Sequence, residues 1–478
     1  MKQTVRSTLL CLGLGVFVQR LLQLATFLCI GRALGVERLG TYAQGLALGG
    51  LLAVLAGTGV RNLLARAVAQ TPEAARSLVL AAVWARLQLG ALLGAIAIAI
   101  AFCSAQQPWF WTLCVLQVLP CALDLKSLLD ATGRTRIEVL LDTTAALLQL
   151  LLVLAWIGAG GDEFGTLAAI ALGSKCLYAI GAAFAIRQLP NGAVAPSLLP
   201  LRHRLGVAIG QTPHEVMAAA DVWIVALCMG NEAAGLYAVA ARLAAAALVP
   251  SLQLARLLLP HLLHASHVGD PGRTLGTALR ATLLVTLPML AGGTVVAVGL
   301  CGLSGAQFEV ASLSLVLLLG AGCLQHLGWQ CSNALLAAGR DATYARGLGW
   351  PSVLQLLGIG VVSFAMASLA TPQPWHTATA ASACALVAHS IYLLHGLRAT
   401  RALRQQPLWH RIAAALLVST ATTLAAAMPG LCGDGFFVLV LQLCAGGLAF
   451  TTSLWFVEMR GRVAQLGHGL ARASGFGS

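Results

Sequence analysis

The amino-acid sequence consists largely of apolar stretches that follow one another with only short polar connections between them. A transmembrane helix needs about 20 apolar residues to cross the roughly 30 Å hydrocarbon core of a bilayer. Stretches of this length occur at residues 8–31, 41–60, 76–103, 107–129, 137–158, 164–188, 205–229, 233–258, 276–301, 311–337, 343–368, 377–397, 411–429 and 435–457. We therefore predict an all-α, polytopic integral membrane protein with about 14 transmembrane helices, here called spans 1 to 14.

The composition excludes an ordinary soluble protein and argues against several kinds of chemistry. Of the 478 residues, 59% are hydrophobic and only 9% are charged, whereas about a quarter of the residues in a soluble domain are charged. The sequence has no phosphate-binding loop, nucleophile elbow or zinc-protease motif, which disfavours an enzyme. His261, His264 and His267 are suitably spaced for a metal but have no acid among them, so we predict neither a metal nor a cofactor.

The excess of basic residues is explained by membrane topology. The 29 Lys and Arg residues outnumber the 16 acids, a balance that can also indicate nucleic-acid binding. Basic residues mark cytoplasmic loops. With the N-terminus inside, 22 of the 29 fall on inner connections and termini, five lie within spans, and only Arg32 and Arg38 lie outside. We therefore predict that both termini are cytoplasmic and that nucleic acid is not a partner.

One motif occurs twice. Residues 35–43 and 230–238 both read G-x-E-x-x-G-x-Y-A at an offset of 195 residues, and each copy joins two apolar spans. The first glycine suits a left-handed cap that ends a helix, and the glutamate suits the electropositive start of the next helix. The tyrosine is expected near a bilayer surface with its hydroxyl in water. Two hairpins of one design predict an internally duplicated membrane protein.

The duplication defines the predicted domains. Residues 1–189 form an N-lobe with spans 1 to 6, residues 190–204 form a Pro-containing linker, and residues 205–398 form a C-lobe with spans 7 to 12. Residues 399–478 hold spans 13 and 14 and a cytoplasmic tail. Because each lobe has an even number of spans, the lobes should be related by an axis near the membrane normal.

Ionisable side chains within the spans are candidates for a substrate site because they are costly in hydrocarbon. Arg20 and Lys175 lie near the middle of spans 1 and 6, and we expect no equally deep acid on a neighbouring span. Such cations fit a water-filled cavity that admits an anionic ligand, and structural staples between helices are the alternative. The candidates for the substrate cavity are Arg20, Gln23, Arg86, Lys175, Gln211, Asp221 and Arg242.

Span 7 carries a polar stripe, since Gln211, His214 and Asp221 share one helical face. We predict that this stripe faces water or substrate. Counting at about 1.5 Å per residue places Asp221 and Arg242 of span 8 at similar depth, which predicts a salt bridge. The candidates for proton or ion coupling are His214, Glu215 and Asp221.

Two further polar groups of residues have a structural interpretation. Lys126 and Asp142 share the inner third of the membrane by the same count and are predicted to form an ion pair. Span 10 carries Gln325, His326, Gln330 and Asn333. Cavity lining and hydrogen bonding between helices explain this last group about equally well.

These features together are similar to a known group of proteins. The segments Ala33–Ala43, Gly230–Arg242, Leu258–Pro260 and Leu335–Arg340 resemble the pattern of bacterial polysaccharide flippases in the multidrug/oligosaccharidyl-lipid/polysaccharide exporter superfamily. The likeness covers nearly the whole chain, but its motifs are structural and include no catalytic signature. It implies two six-helix lobes around a central cavity lined chiefly by spans 1, 2, 7 and 8.

The resemblance also implies a function. The expected activity is the transfer of undecaprenyl-diphosphate-linked oligosaccharide from the inner to the outer leaflet of the bacterial inner (cytoplasmic) membrane, for O-antigen, capsule or exopolysaccharide synthesis. A polysaccharide polymerase and a chain-length regulator are the expected protein partners. The alternatives are a drug/cation antiporter, a lipid II flippase and, disfavoured by the short outer loops, a membrane polymerase or ligase of lipid-linked sugars.

Overall fold

The computed structural model describes residues 2–57, 64, 72–104, 107–124, 135–190, 201–255, 258, 262, 271–367, 373–400 and 442. Their side chains are described except at 2–14, 72, 104, 135, 201–212, 218, 271, 273 and 341. Span 13, all of span 14 except residue 442, Lys126 and the three histidines at 261, 264 and 267 lie outside the described residues.

The described chain is helical throughout. The helices are α1 (Lys2–Leu34), α2 (Val36–Gly57), α3 (Ala75–Ser104), α4 (Pro108–Leu116), α5 (Val118–Cys121), α6 (Thr135–Gly158), α7 (Phe164–Arg187), α8 (Leu201–Ala247), α9 (Pro271–Gly302), α10 (Ser312–Ala337), α11 (Asp341–Ala367) and α12 (Pro374–Ala399). Short 3₁₀ turns at Pro72–Ala74 and Ala306–Ala311 precede α3 and α10. α8 begins inside the linker predicted for 190–204.

Glycines at the start of both motif copies break the helices. Gly35 has φ +79° and separates α1 from α2, and Gly230 has φ +83° inside α8. Only glycine adopts this left-handed region without strain. The break at Gly230 folds α8 back on itself. The evidence is a hydrogen bond between the side chains of Tyr237 and Asp221, which are 16 residues apart in the sequence. The predicted helix caps are therefore confirmed, and spans 7 and 8 are the two arms of α8, residues 201–229 and 231–247.

The protein is a multi-pass membrane protein. Ten helices among the described residues are long and apolar enough to cross a bilayer. Spans 1 to 3, 5 to 7 and 9 to 12 each match one helical segment, with ends that differ from the predicted ones by at most about six residues. For span 8 the second arm of α8 ends at Ala247, before the predicted end at 258. Span 4 differs, because the helix is interrupted at Gln117 between α4 and α5 and the described segment ends at Asp124.

The outer surface of the helices is apolar. On α11 the residues with side chains largely uncovered by protein recur at helical spacing, as Trp350, Leu354, Leu357, Val361 and Phe364. Such a stripe would be a liability in water but is the surface expected against lipid.

The two halves of the chain meet at the two motif copies. Within the first half α1 packs on α6, and within the second half α10 packs on α12 and the arms of α8 pack on α11. Between the halves, α2 and α8 make the most extensive contact of the described helices. Tyr42 and Tyr237 are buried there, at 1% and 0% exposure. The prediction that the hydroxyls of these tyrosines lie in water is wrong, because the facing hairpins cover both side chains.

Candidate functional site

A polar cavity lies inside the N-lobe. It has a volume of about 200 Å³ and is enclosed by α1, α6, α7 and the segment that follows α5. Arg20 and Gln23 come from α1 and Lys175 from α7, so the structure brings together three of the predicted substrate residues. The guanidinium of Arg20 donates to the amide oxygen of Gln23 over 3.1 Å, as their spacing of three residues on one helix allows.

Acidic side chains line the same cavity. Asp142 of α6 accepts a hydrogen bond of 3.1 Å from the Gln19 amide of α1, and Asp124 contributes a second carboxylate. The expectation that Arg20 and Lys175 lie far from any equally deep acid is therefore wrong. Counting residues along a helix gives the depth of a side chain in the membrane but not its direction around the helix axis. The count therefore did not show that both carboxylates face the same cavity. The cavity holds two cations and two carboxylates, so it suits a ligand with both polar hydroxyls and charge.

Sequence reasoning missed several of the neutral polar residues in this cavity. Gln149 lies seven residues after Asp142 on α6, which places both on one face. Ser174 of α7 donates to the Gln149 amide oxygen over 3.2 Å and also contacts the carbonyl of Ala171 at 2.8 Å. The spacing of seven residues was the available signal for Gln149.

Arg86 lies apart from the cavity lining. It is 6% exposed on α3, and its guanidinium donates to the backbone carbonyl of Asp124 over 3.1 Å. This contact fixes the segment whose carboxylate reaches the cavity. The geometry therefore gives Arg86 a positioning role rather than a substrate-facing one.

The side chains of Asp221 and Arg242 make their described direct contacts with different partners. The Asp221 carboxylate accepts hydrogen bonds from the Tyr237 hydroxyl (2.9 Å) and from the Val222 backbone N–H (2.7 Å). The Arg242 guanidinium lies over the ring of Phe27 on α1, with 5.3 Å between the guanidinium carbon and the ring centre. The predicted salt bridge is wrong, since the motif tyrosine takes the place that was assigned to Arg242.

The second arm of α8 thus presents a cation at the boundary between the lobes. Arg242 is exposed, and its contact with Phe27 joins α8 to α1. No carboxylate within the described part of the chain forms an ion pair with it. A guanidinium held over an aromatic face keeps its hydrogen-bond donors available for another ligand.

The remaining coupling candidates do not form one site. His214 turns towards α11, with its Nδ1 3.3 Å from the Ser352 hydroxyl, and lines a small cavity in the C-lobe. Glu215 lines neither cavity. For Gln211 the structure describes the backbone alone. The described part of the predicted stripe on span 7 therefore faces the interior of the C-lobe.

Comparison with known proteins identifies the fold. No protein-family model and no curated protein sequence matches the chain. Among solved structures, the chain is similar to the lipid II flippase MurJ in an inward closed conformation, with TM-score 0.69, 13% identity, and coverage of 94% of this chain and 99% of that one. It is similar to an inward-facing multidrug resistance MATE transporter, with TM-score 0.61, 16% identity, and coverage of 80% and 95%.

A third similar structure is a MOP superfamily transporter from Pyrococcus furiosus, which is described as having a binding pocket of reverse polarity. Its TM-score is 0.57 at 17% identity, with coverage of 83% of this chain and 95% of that one. The chain therefore has the fold of these transporters and of this flippase, and two of the three are described as transporters of the MOP superfamily. At these identities the likeness establishes the fold alone.

Proposed function

We propose that the protein is a flippase that moves undecaprenyl-diphosphate-linked oligosaccharide repeat units from the inner to the outer leaflet of the bacterial cytoplasmic membrane. The units would serve the synthesis of a surface polysaccharide. The observation that carries the proposal is the environment of Arg242: an exposed guanidinium at the boundary between the lobes, with the nearest predicted acid, Asp221, turned to Tyr237 instead.

The chemistry of this cargo matches the described groups. A diphosphate needs cationic donors, and arginine binds phosphate oxygens with two parallel N–H groups. Sugar hydroxyls need amides and hydroxyls, which Gln23, Gln149 and Ser174 supply beside Arg20 and Lys175 in the N-lobe cavity. A cation antiporter would instead need acids in excess over cations on these elements.

The proposed transport path uses the two lobes of the fold. The prenyl chain would remain in lipid beside the lobes while the diphosphate and sugars cross between them. Rocking of two lobes around a central site exposes it to each face in turn. Because the diphosphate is negative, a membrane potential that is negative inside favours its outward movement by about 2.3 kcal/mol per charge per 100 mV.

The proposal is tested by deleting the gene and locating the lipid-linked oligosaccharide that accumulates. Access by an externally added lectin reports the leaflet. Complete units confined to the inner leaflet are the expected result, and the plasmid-borne gene should restore outward transfer. Complete units in the outer leaflet would indicate a polymerase or ligase, accumulation of lipid II would indicate the peptidoglycan precursor as cargo, and no accumulation would refute a lipid-linked cargo.

The role of Arg242 is tested in the same strain. Arg242→Ala should abolish outward transfer, while Arg242→Lys should retain part of it because the charge remains and the paired donors are lost. The matched control is Arg187→Ala, which removes a guanidinium that lies 5.4 Å from the Phe184 ring centre at the end of α7. Full transfer in Arg242→Ala would show that the cargo does not use this cation.

A further inference from the structure

Three histidines converge inside the C-lobe. His214 comes from the first arm of α8, His326 from α10 and His389 from α12. The Trp329 ring lies between two of them, with ring centres 4.8 Å from His326 in a stacked arrangement and 6.1 Å from His214 edge to face. Sequence analysis singled out His214 and His326 separately and did not connect either with His389.

A cavity of about 10 Å³ lies beside His214 and His389. This volume is about that occupied by one water molecule. Gln355 of α11 also lines it, and its amide oxygen is buried with no hydrogen-bond partner in the described part of the chain. His326 Nδ1 is also buried, and it too has no hydrogen-bond partner in the described part of the chain. The interior of the lobe therefore holds polar atoms that the described chain does not satisfy.

The hydrogen bonds of His214 fix one neutral form. The Ser352 hydroxyl donates to the Leu348 carbonyl over 2.8 Å, so its oxygen accepts from His214 Nδ1–H. The Gln325 amide nitrogen lies 3.5 Å from His214 Nε2 and donates to it. A second proton on His214 would require the Gln325 amide to turn over.

His389 has no such obstacle. Its Nδ1 lies 2.8 Å from the carbonyl oxygen of Ala385, an acceptor that requires Nδ1 to carry hydrogen. The neutral ring then has its lone pair on Nε2, for which the structure describes no hydrogen bond. An added proton at Nε2 leaves the bond to Ala385 intact. Of the two histidines that line the cavity, His389 is thus the better prepared to accept a proton.

The surroundings decide what that proton does. The titratable groups that line the cavity are His214 from α8 and His389 and Tyr392 from α12; His326 from α10 lies nearby, and α11 contributes only the neutral Ser352 and Gln355. Tyr392 is engaged with the Ser332 hydroxyl at 2.8 Å. None of the residues lining the cavity is Asp, Glu, Lys or Arg, so a proton there gives an uncompensated charge that opposes a second one on the neighbouring rings.

We infer that this cavity is a proton-binding site of the transporter, that Nε2 of His389 is the acceptor, and that its protonation favours a conformation in which the cavity opens to water. The driving force is physical: a buried cation without a counter-charge is costly, and hydration removes that cost. The inference names the coupling ion for the alternating access proposed above and rests on that motion. It does not depend on the cargo.

The test measures conformation without any cargo. Purified full-length protein in nanodiscs is compared by hydrogen–deuterium exchange on either side of the usual imidazole pKa of about 6.5, at about pH 5.5 and about pH 7.5, with rates corrected for intrinsic exchange. Exchange in residues 348–355 and 385–392 should rise several-fold at the lower pH. His389→Gln, which is polar and cannot be protonated, should abolish this rise.

The control is His376→Gln, which removes an exposed histidine at the start of the same helix and should leave the response unchanged. Thermal unfolding of each variant at the higher pH checks its folding, and His389→Asn serves if the glutamine variant unfolds. A pH response that survives at His389→Gln, or none in the unmodified protein, would overturn the site. A failed leaflet test with the pH response intact would refute only the cargo.

Discussion

Gly40 of α2 and Gly235 of α8 lie backbone against backbone where the two lobes meet. A methyl group added to Gly40 would overlap the carbonyl oxygen of Asn231, and one added to Gly235 would overlap that of Val36. The two contacts are equivalent, because each glycine and each carbonyl has its counterpart 195 residues away. A two-fold, self-complementary contact of this kind places identical demands on both motif copies.

Alanine at either glycine should therefore weaken the contact between lobes. Overpacking costs about 1–3 kcal/mol, and about 1.4 kcal/mol corresponds to a tenfold change in an equilibrium. We expect Gly40→Ala and Gly235→Ala each to lower the equilibrium constant for forming the contact about tenfold. Glu37 and Glu232 are exposed and occupy equivalent positions in the two motif copies. Crosslinking between cysteines introduced at these two positions measures how much of the protein has the contact formed.

Gly173→Ala is the matched control for both glycine variants. Gly173 is also helical, but no atom lies within 4 Å of an added methyl group. Unchanged crosslinking is expected there. If Gly40→Ala and Gly235→Ala crosslink as well as this control, the glycines are not required for the contact.

Tyr237→Phe should destabilise the C-lobe by removing the hydroxyl that donates to Asp221 over 2.9 Å. A hydrogen bond to a charged group contributes about 1.5–3 kcal/mol. Tyr42→Phe makes the same change in the first motif copy, where the structure describes no hydrogen bond of the hydroxyl, and should cost less. Thermal unfolding in detergent compares them, and equal losses would mean that the bond to Asp221 contributes nothing measurable.

The sequence predicts the lengths of the helices well, but it does not predict how each helix is rotated about its own axis. Apolar length predicted spans 1 to 3, 5 to 7 and 9 to 12 with ends within about six residues of the described helices, because the bilayer fixes how long a helix must be. It did not find the partner of Asp221. The chain turns at Gly230 itself, so Tyr237 follows the turn by seven residues and Arg242 by twelve, against nine residues for Asp221 before it. The predicted ends of spans 7 and 8 left three residues for the turn and made Arg242 look closer in depth.

The periodicity of single helices could not predict cavities that are formed by helices distant in the sequence. His214 and His389 are separated by 175 positions, and each helix shows only its own periodicity. The N-lobe cavity is partly predictable, since the depth of Arg20 and Lys175 and the spacing of Gln23 from Arg20 all point to polar groups inside the membrane. The sequence predicts an ion pair between Asp142 and Lys126 rather than a place for Asp142 in this cavity, because depth alone does not say which neighbouring helix a side chain faces.

Arg20→Ala should stop outward transfer of the cargo while normal amounts of protein remain in the membrane. Arg20 lines the N-lobe cavity and donates to Gln23 on its own helix, so its loss removes a ligand-facing cation. Arg32→Ala removes an exposed cation from the last turn of the same helix and should transfer normally. Leaflet accessibility, normalised to protein in the membrane, is the readout, and normal transfer by Arg20→Ala would make Arg20 a structural residue.

Arg86→Leu should lower the stability of the protein and leave transfer by the folded protein nearly unchanged, the reverse of the effect expected for Arg20→Ala. Its side chain is buried, its hydrogen bond of 3.1 Å ends on the backbone carbonyl of Asp124, and it does not line the cavity. Leucine leaves that carbonyl without its donor, at a cost of about 1–3 kcal/mol. The amount of folded protein and its unfolding temperature should therefore fall, while transfer per folded molecule stays within about twofold of normal, since the cavity cations remain. Arg76→Leu, near the start of the same helix, controls for loss of charge. Normal stability combined with lost transfer would instead place Arg86 on the path of the cargo, and would mean that its contact with Asp124 is exchanged for one with the ligand.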